Sequence, residues 1–121
     1  MHEMTIAEAL IKQVIELARQ NNAEKVCEVE VSLGVMRLVV PEALDFAFAA
    51  LAEGTIAQGA KLQQVEKPIT ARCRQCSIEY QPPLGDLQCP QCHQADFVII
   101  DGDEIILKSL VCDIEEGVTR Q

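Results

Sequence analysis

Two Cys-x-x-Cys pairs, Cys73/Cys76 and Cys89/Cys92, are separated by 12 residues and offer four thiolates at a spacing suited to one tetrahedral cation. Each pair brings two sulfurs to one side of a tight turn. Pro90 presets the backbone angle of the second turn. Four protein thiolates around one ion describe a closed structural Zn²⁺ site with no position open to a substrate, so this site is expected to hold a fold and not to catalyse. An iron site of the same shape is the alternative, told apart by colour. The N-terminus shows no apolar run of a secretory signal, so the thiols are expected to be reduced and the chain cytoplasmic.

A second candidate lies at the other end of the sequence. The Met1 amine, the His2 backbone nitrogen and the His2 imidazole can close adjoining chelate rings around one cation, and Ni²⁺ and Cu²⁺ favour such nitrogen donors in one plane. The size of His2 discourages removal of the initiator methionine, which preserves the amine. A fourth donor is open between Glu3 and a nearby acid such as Glu42. Read on its own, a single histidine near a terminus is a solvated tail residue more often than a ligand.

The remaining candidates read more plainly. His93, next to Cys92, is either an inert loop residue or an alternative ligand. Cys27 and Cys112 fall on apolar strand faces as small core residues, and Glu42 complements the start of a helix. No His-Glu-x-x-His motif is present, since Ile6 stands where a second histidine would be required, and no serine or cysteine has an evident base. The chain is not expected to be an enzyme.

Bulk properties agree. The chain has 121 residues, 49% of them hydrophobic, and a formal net charge of −9. A zinc tetrathiolate site would take that to about −11. No apolar stretch is long enough to cross a bilayer, so no membrane association is expected. The cysteine segment carries only Arg72 and Arg74 against Glu79, Asp86 and Asp96 and shows no basic patch, which disfavours nucleic acid. An acidic surface suits cations and basic partners.

The elements that must position these residues follow from periodicity. Thr5 and Glu8 form a capping-box pattern, which places a helix from there to Asn21-Asn22 with Ile6, Leu10, Val14 and Leu17 at helical spacing, and leaves His2 and Glu3 just ahead of it. Val26 to Leu33 alternates as a half-buried strand, with Cys27, Val29, Val31 and Leu33 on one face and Glu28, Glu30 and Ser32 on the other. Pro41 opens a second helix carrying Leu44, Phe48 and Leu51, with Gly54 as its stop. A weaker strand spans 60–66. Phe97 to Ile100, Asp101-Gly102 and the residues from Glu104 onward read as a hairpin whose second arm completes the first sheet. The expected fold is therefore α+β: a small mixed sheet with two helices, residues 1–68 completed by a strand within 104–121, and an inserted zinc-ribbon module over 69–103. A module of about 35 residues cannot bury enough apolar surface to fold without its metal.

Met1-His2-Glu3-Met4, the Val31-x-Leu33-Gly34 turn, Pro41-Glu42-Ala43-Leu44 with Phe46-Ala47-Phe48, Gly59-Ala60-x-Leu62 and the two cysteine pairs together resemble the HypA/HybF family of hydrogenase nickel incorporation proteins. The resemblance spans essentially the whole chain. It implies a nickel metallochaperone for maturation of [NiFe]-hydrogenase, working with the GTPase HypB to load the hydrogenase large subunit as a monomer or homodimer. It further implies that His2 is the essential nickel ligand, with the Met1 amine and Glu3 beside it, and that Cys73, Cys76, Cys89 and Cys92 hold structural zinc. Some relatives place an acidic residue, proposed as a further nickel ligand, where this chain has Val40. The runner-up reading is a zinc-ribbon interaction module that delivers no nickel.

Overall fold

The computed structural model describes the backbone of residues 2–114 and 117–120 and the side chains of residues 3–113. Helix α1 spans His2–Gln20 and buries Ile6, Ala7, Leu10, Ile11, Val14 and Ala18, a stripe repeating every three or four residues. It ends in a Schellman turn: the N–H of Ala23 donates to Ala18 O at 2.9 Å and that of Asn22 to Arg19 O at 3.1 Å. Asn22 takes the left-handed conformation at φ 56°, which asparagine tolerates.

Strand β1 spans Lys25–Gly34 and a single 3₁₀ turn covers Val35–Arg37. Helix α2 spans Pro41–Ala52, with Pro41 at its first position and Leu44, Ala47, Phe48 and Ala52 buried. Gly54, with φ 78°, follows its end. Strands β2 (Lys61–Lys67), β3 (Thr70–Cys73), β4 (Glu79–Tyr80), β5 (Phe97–Asp101), β6 (Ile105–Ile114) and β7 (Gly117–Arg120) complete the chain.

A four-stranded sheet runs in the order β2-β1-β6-β7 and a three-stranded sheet in the order β4-β3-β5. The class is α+β, two helices with small sheets, as the periodicities require. The chain divides into two compact units. One holds residues 1–31, 39–64 and 107–121; the other holds 32–38 and 65–106. In the first, α1 packs on α2 over a core that includes Val26, Val29, Val31, Phe48 and Leu110. The second buries Leu33, Ile69, Ala71, Cys73 and Cys89.

Three details differ from the sequence reading. Helix α1 begins at His2, so His2 and Glu3 stand in its first turn rather than ahead of it, and Thr5 does not cap its start. An acidic residue at Glu3 is favourable there, because the first turn carries unpaired N–H groups and the positive end of the helix dipole. Ser32, placed on the outer face of β1, is buried at 7% exposure. The expected hairpin at Asp101-Gly102 is absent: β5 pairs with β3, whereas β6 joins the other sheet.

The cause of that last difference lies far away in sequence. The chain beyond β5 is taken up by donors near the end of β1, with Gly34 N–H bonded to Glu104 O at 2.8 Å and Met36 N–H to Gly102 O at 3.0 Å. This docking requires two glycines. A Cβ at Gly34 would lie 2.4 Å from the Gly102 carbonyl carbon, and one at Gly102, which has φ 98°, would lie 2.7 Å from Ile69 Cα. Both obstacles are backbone and cannot swing aside. Gly34→Ala and Gly102→Ala are each expected to destabilise this unit by about 2 kcal/mol or more, the range of overpacking joined at Gly102 by a disfavoured φ. Thermal melting should show a lower midpoint for both; an unchanged midpoint for Gly34→Ala would refute the contact.

Candidate metal centres

The four cysteines converge. Their sulfurs all lie within 4.8 Å of one another, with Cys73 Sγ 3.6 Å from Cys92 Sγ and Cys76 Sγ 4.0 Å from Cys89 Sγ. A regular tetrahedron of thiolates around zinc at about 2.3 Å has edges of about 3.8 Å, so the two measured separations bracket the value that a bound Zn²⁺ requires. The donor set and its size fit the ion.

Each pair sits in a turn of the same design. Ser77 N–H donates to Cys73 O at 2.8 Å and His93 N–H to Cys89 O at 2.9 Å. Ser77 (φ 61°) and His93 (φ 59°) both adopt the left-handed conformation directly after the second cysteine of their pair. Within each turn a backbone N–H also points at the first sulfur, Cys76 N at 3.4 Å from Cys73 Sγ and Gln91 N at 3.4 Å from Cys89 Sγ. Such donors stabilise thiolates.

The crowding of four thiols shows in their acidity. Burial pushes the Cys76 thiol up to about 12. At Cys89 burial opposes ionisation too, but hydrogen bonds from the N–H groups of Cys92 and Gln91 and from the Cys73 and Cys92 thiols together outweigh it and bring that thiol down to about 7. Without a cation the cluster cannot carry four negative charges, so a divalent ion completes it electrostatically.

The ribbon sheet holds the two turns together. Cys73 ends β3, which pairs antiparallel with β4 through Arg72↔Glu79 and with β5 through Cys73↔Phe97. Arg74 N–H donates to Asp96 O at 3.0 Å, and Cys89 N–H to Gln94 O at 3.0 Å. Both ribbon arginines face carboxylates, Arg74 with Asp96 at 3.2 Å and Arg72 with Glu79 at 3.9 Å. These exposed pairs contribute little to stability.

Among the described residues the metal-ligand cluster is made of the four cysteines and contains no histidine. His93 is exposed and acts as the left-handed turn residue, a role legible in its position one residue after Cys92, matching Ser77 after Cys76. Cys112 is buried and Cys27 half-buried. Burial, reinforced at Cys27 by the Asp113 side chain, pushes both thiols up and so keeps them protonated and unreactive.

At the other end, Met1 lies outside the described residues and His2 is described by its backbone alone. Glu3 carries the informative contact. Its carboxylate accepts a hydrogen bond from Val40 N–H at 3.1 Å, which joins the first turn of α1 to the residue that caps α2. This contact is not legible in the sequence, because a backbone donor 37 residues away leaves no mark there. Among the described residues no helix is long and apolar enough to cross a membrane.

A family model described as "Hydrogenase/urease nickel incorporation, metallochaperone, hypA" matches residues 1–112. The hydrogenase maturation factor HypA of Desulfitobacterium hafniense is 35% identical over 116 residues, which is 96% of this chain and all of the relative. The maturation factor HypA 2 of Bradyrhizobium diazoefficiens is 41% identical over 113 residues, 93% of this chain and all of the relative. The solution structure of the Ni metallochaperone HypA from Helicobacter pylori superposes with a TM-score of 0.72 at 29% identity, covering 95% of this chain and all of that one. With its full-length match and its cluster of four cysteines, the chain belongs to the HypA family of nickel metallochaperones for hydrogenase maturation.

Proposed function

We propose that this chain binds Ni²⁺ at Met1-His2-Glu3 and delivers it for [NiFe]-hydrogenase maturation, while Cys73, Cys76, Cys89 and Cys92 hold a permanent Zn²⁺. Residues 69–103 form the zinc-ribbon module, and residues 1–68 with a strand from 104–121 form the nickel-binding domain. The chain acts in the cytoplasm, without catalysing a reaction, alongside the GTPase HypB and the hydrogenase large subunit.

The observation that carries the reading is the helix start at His2. The first four N–H groups of an α-helix have no acceptor inside the helix, so the His2 backbone nitrogen can enter a chelate without breaking the helical ladder. The positive end of the helix dipole lies in this turn. That same field opposes a bare cation, and the Glu3 carboxylate in this turn offsets it. Such a site has few side-chain ligands and lies at the chain's edge, so the ion can leave again; the cysteine cage, with Cys73 and Cys89 buried at 1% and 0% exposure, cannot let go as readily.

Nickel titration of the native protein beside His2→Ala tests the assignment. His2→Ala should lose nickel binding while retaining full zinc content, since its position is remote in sequence from every cysteine. Retention of nickel by the variant would overturn the site. A red protein would replace zinc by iron in the cysteine cluster.

A further inference from the structure

The outer face of α2 carries a stripe that the core does not use. Leu44, Ala47, Phe48 and Ala52 turn inward, while Glu42, Asp45, Phe46, Ala49 and Ala50 are exposed, followed by exposed Glu53. At 100° per residue Phe46 lies at the centre of this stripe, with Ala49 and Ala50 beside it and carboxylates at both ends. Phe46 is 76% exposed, the most exposed large apolar side chain among the described residues. The helix contains no lysine or arginine.

We propose that this face docks the protein that receives nickel, through an apolar pocket on that partner framed by lysine or arginine side chains. The proposal rests on the nickel-delivery reading given above. Charge selects the occupant. A second copy of the chain would bring Glu42, Asp45 and Glu53 toward their own like charges, on a molecule whose net charge is already −9. Size agrees: a stripe along this 12-residue helix is about 18 Å long. At a helix width of about 10 Å such a stripe offers about 180 Å² on each copy, or about 360 Å² in a symmetric pair, well short of the roughly 1,200 Å² that a stable dimer buries and suited to a transient encounter.

Position supplies the link to delivery. The Glu3 carboxylate bonded to Val40 N–H ties the residue that caps α2 to the start of α1, where the nickel motif lies. A partner seated on α2 is therefore held beside the place from which the ion departs. Phe46 is the anchor, a rigid aromatic that loses little side-chain freedom on docking, and the carboxylates steer approach.

The test uses full-length protein with its zinc in place and the purified hydrogenase large-subunit precursor as probe. Binding is measured for the native chain, Phe46→Ala and Asp45→Lys/Glu53→Lys at low and high salt, and nickel affinity is measured for each. The native chain should bind the precursor in a salt-sensitive manner. Phe46→Ala should weaken this by about tenfold or more. The double charge reversal should weaken it by about tenfold at low salt and flatten the salt dependence. All three proteins should take up nickel equally, so that failure of docking is read separately from failure of nickel binding. Equal affinity of the three proteins for the precursor, no binding by the native chain, or an effect of the variants on self-association alone would each overturn the proposal.

Discussion

Replacing Cys89 by serine is expected to empty the cysteine cluster of zinc and unfold the segment it organises, while α1 and α2 stay folded. Cys89 is fully buried, and its N–H and C=O anchor the second turn through Gln94 and His93. Outside the turns, the ribbon owes its form to short strands, of which β4 has two residues and β3 four. Such strands bury too little apolar surface to offset the conformational entropy of ordering the segment. Metal binding in small zinc modules contributes on the order of 10 kcal/mol or more, so its loss exceeds the stability that a module of this size can hold. In a two-dimensional amide spectrum the resonances of residues 69–103 should collapse toward random-coil shifts. Those of Ile6 to Ala18 and Leu44 to Ala52 should keep their dispersion, because their core of aliphatic and aromatic side chains contains no metal ligand. A variant that lost zinc and retained a dispersed ribbon spectrum would show that the metal is not what folds this segment.

The second large effect is on pH. Lowering the pH from about 7.5 to about 5 should weaken nickel binding by about a thousandfold or more. The terminal amine has an unperturbed pKa of about 7.7–8.0 and the imidazole one of about 6.5, and both must be deprotonated to coordinate. The sign follows directly: affinity is present above these values and is lost as pH falls through them. Release of the backbone proton steepens the loss further. Titration calorimetry at several pH values in buffers of different ionisation enthalpy would count the protons released. Nickel affinity that stayed constant down to pH 5 would exclude a nitrogen chelate.

Much of this architecture can be read from local pattern. The cysteine pairs declare themselves because ligand geometry restricts spacing, and α1, β1 and α2 because their buried faces repeat within a few residues. The misreadings share a cause. Asp101-Gly102 has the look of a two-residue turn, yet the path beyond it is decided by N–H groups of Gly34 and Met36, more than sixty residues upstream. Thr5 and Glu8 match a capping box, yet the helix starts at His2, where an acidic third residue supports the first turn. The Glu3 to Val40 bond depends on backbone geometry, which residue type alone does not encode. Phe46 lies between Leu44 and Phe48 in an apolar run, and only its angle around the helix turns it outward.

The claim that nickel is held by the terminal amine together with His2 meets its most direct test in one comparison. Nickel affinity is measured for protein with an authentic, untagged Met1 and for protein with a single residue added before it, both with zinc content verified. The added residue moves the amine out of the chelate without touching His2, Glu3 or any cysteine, so nickel binding should be lost while zinc stays. Equal nickel affinity in the two proteins would show that the amine is not a donor and would contradict the coordination proposed for this site.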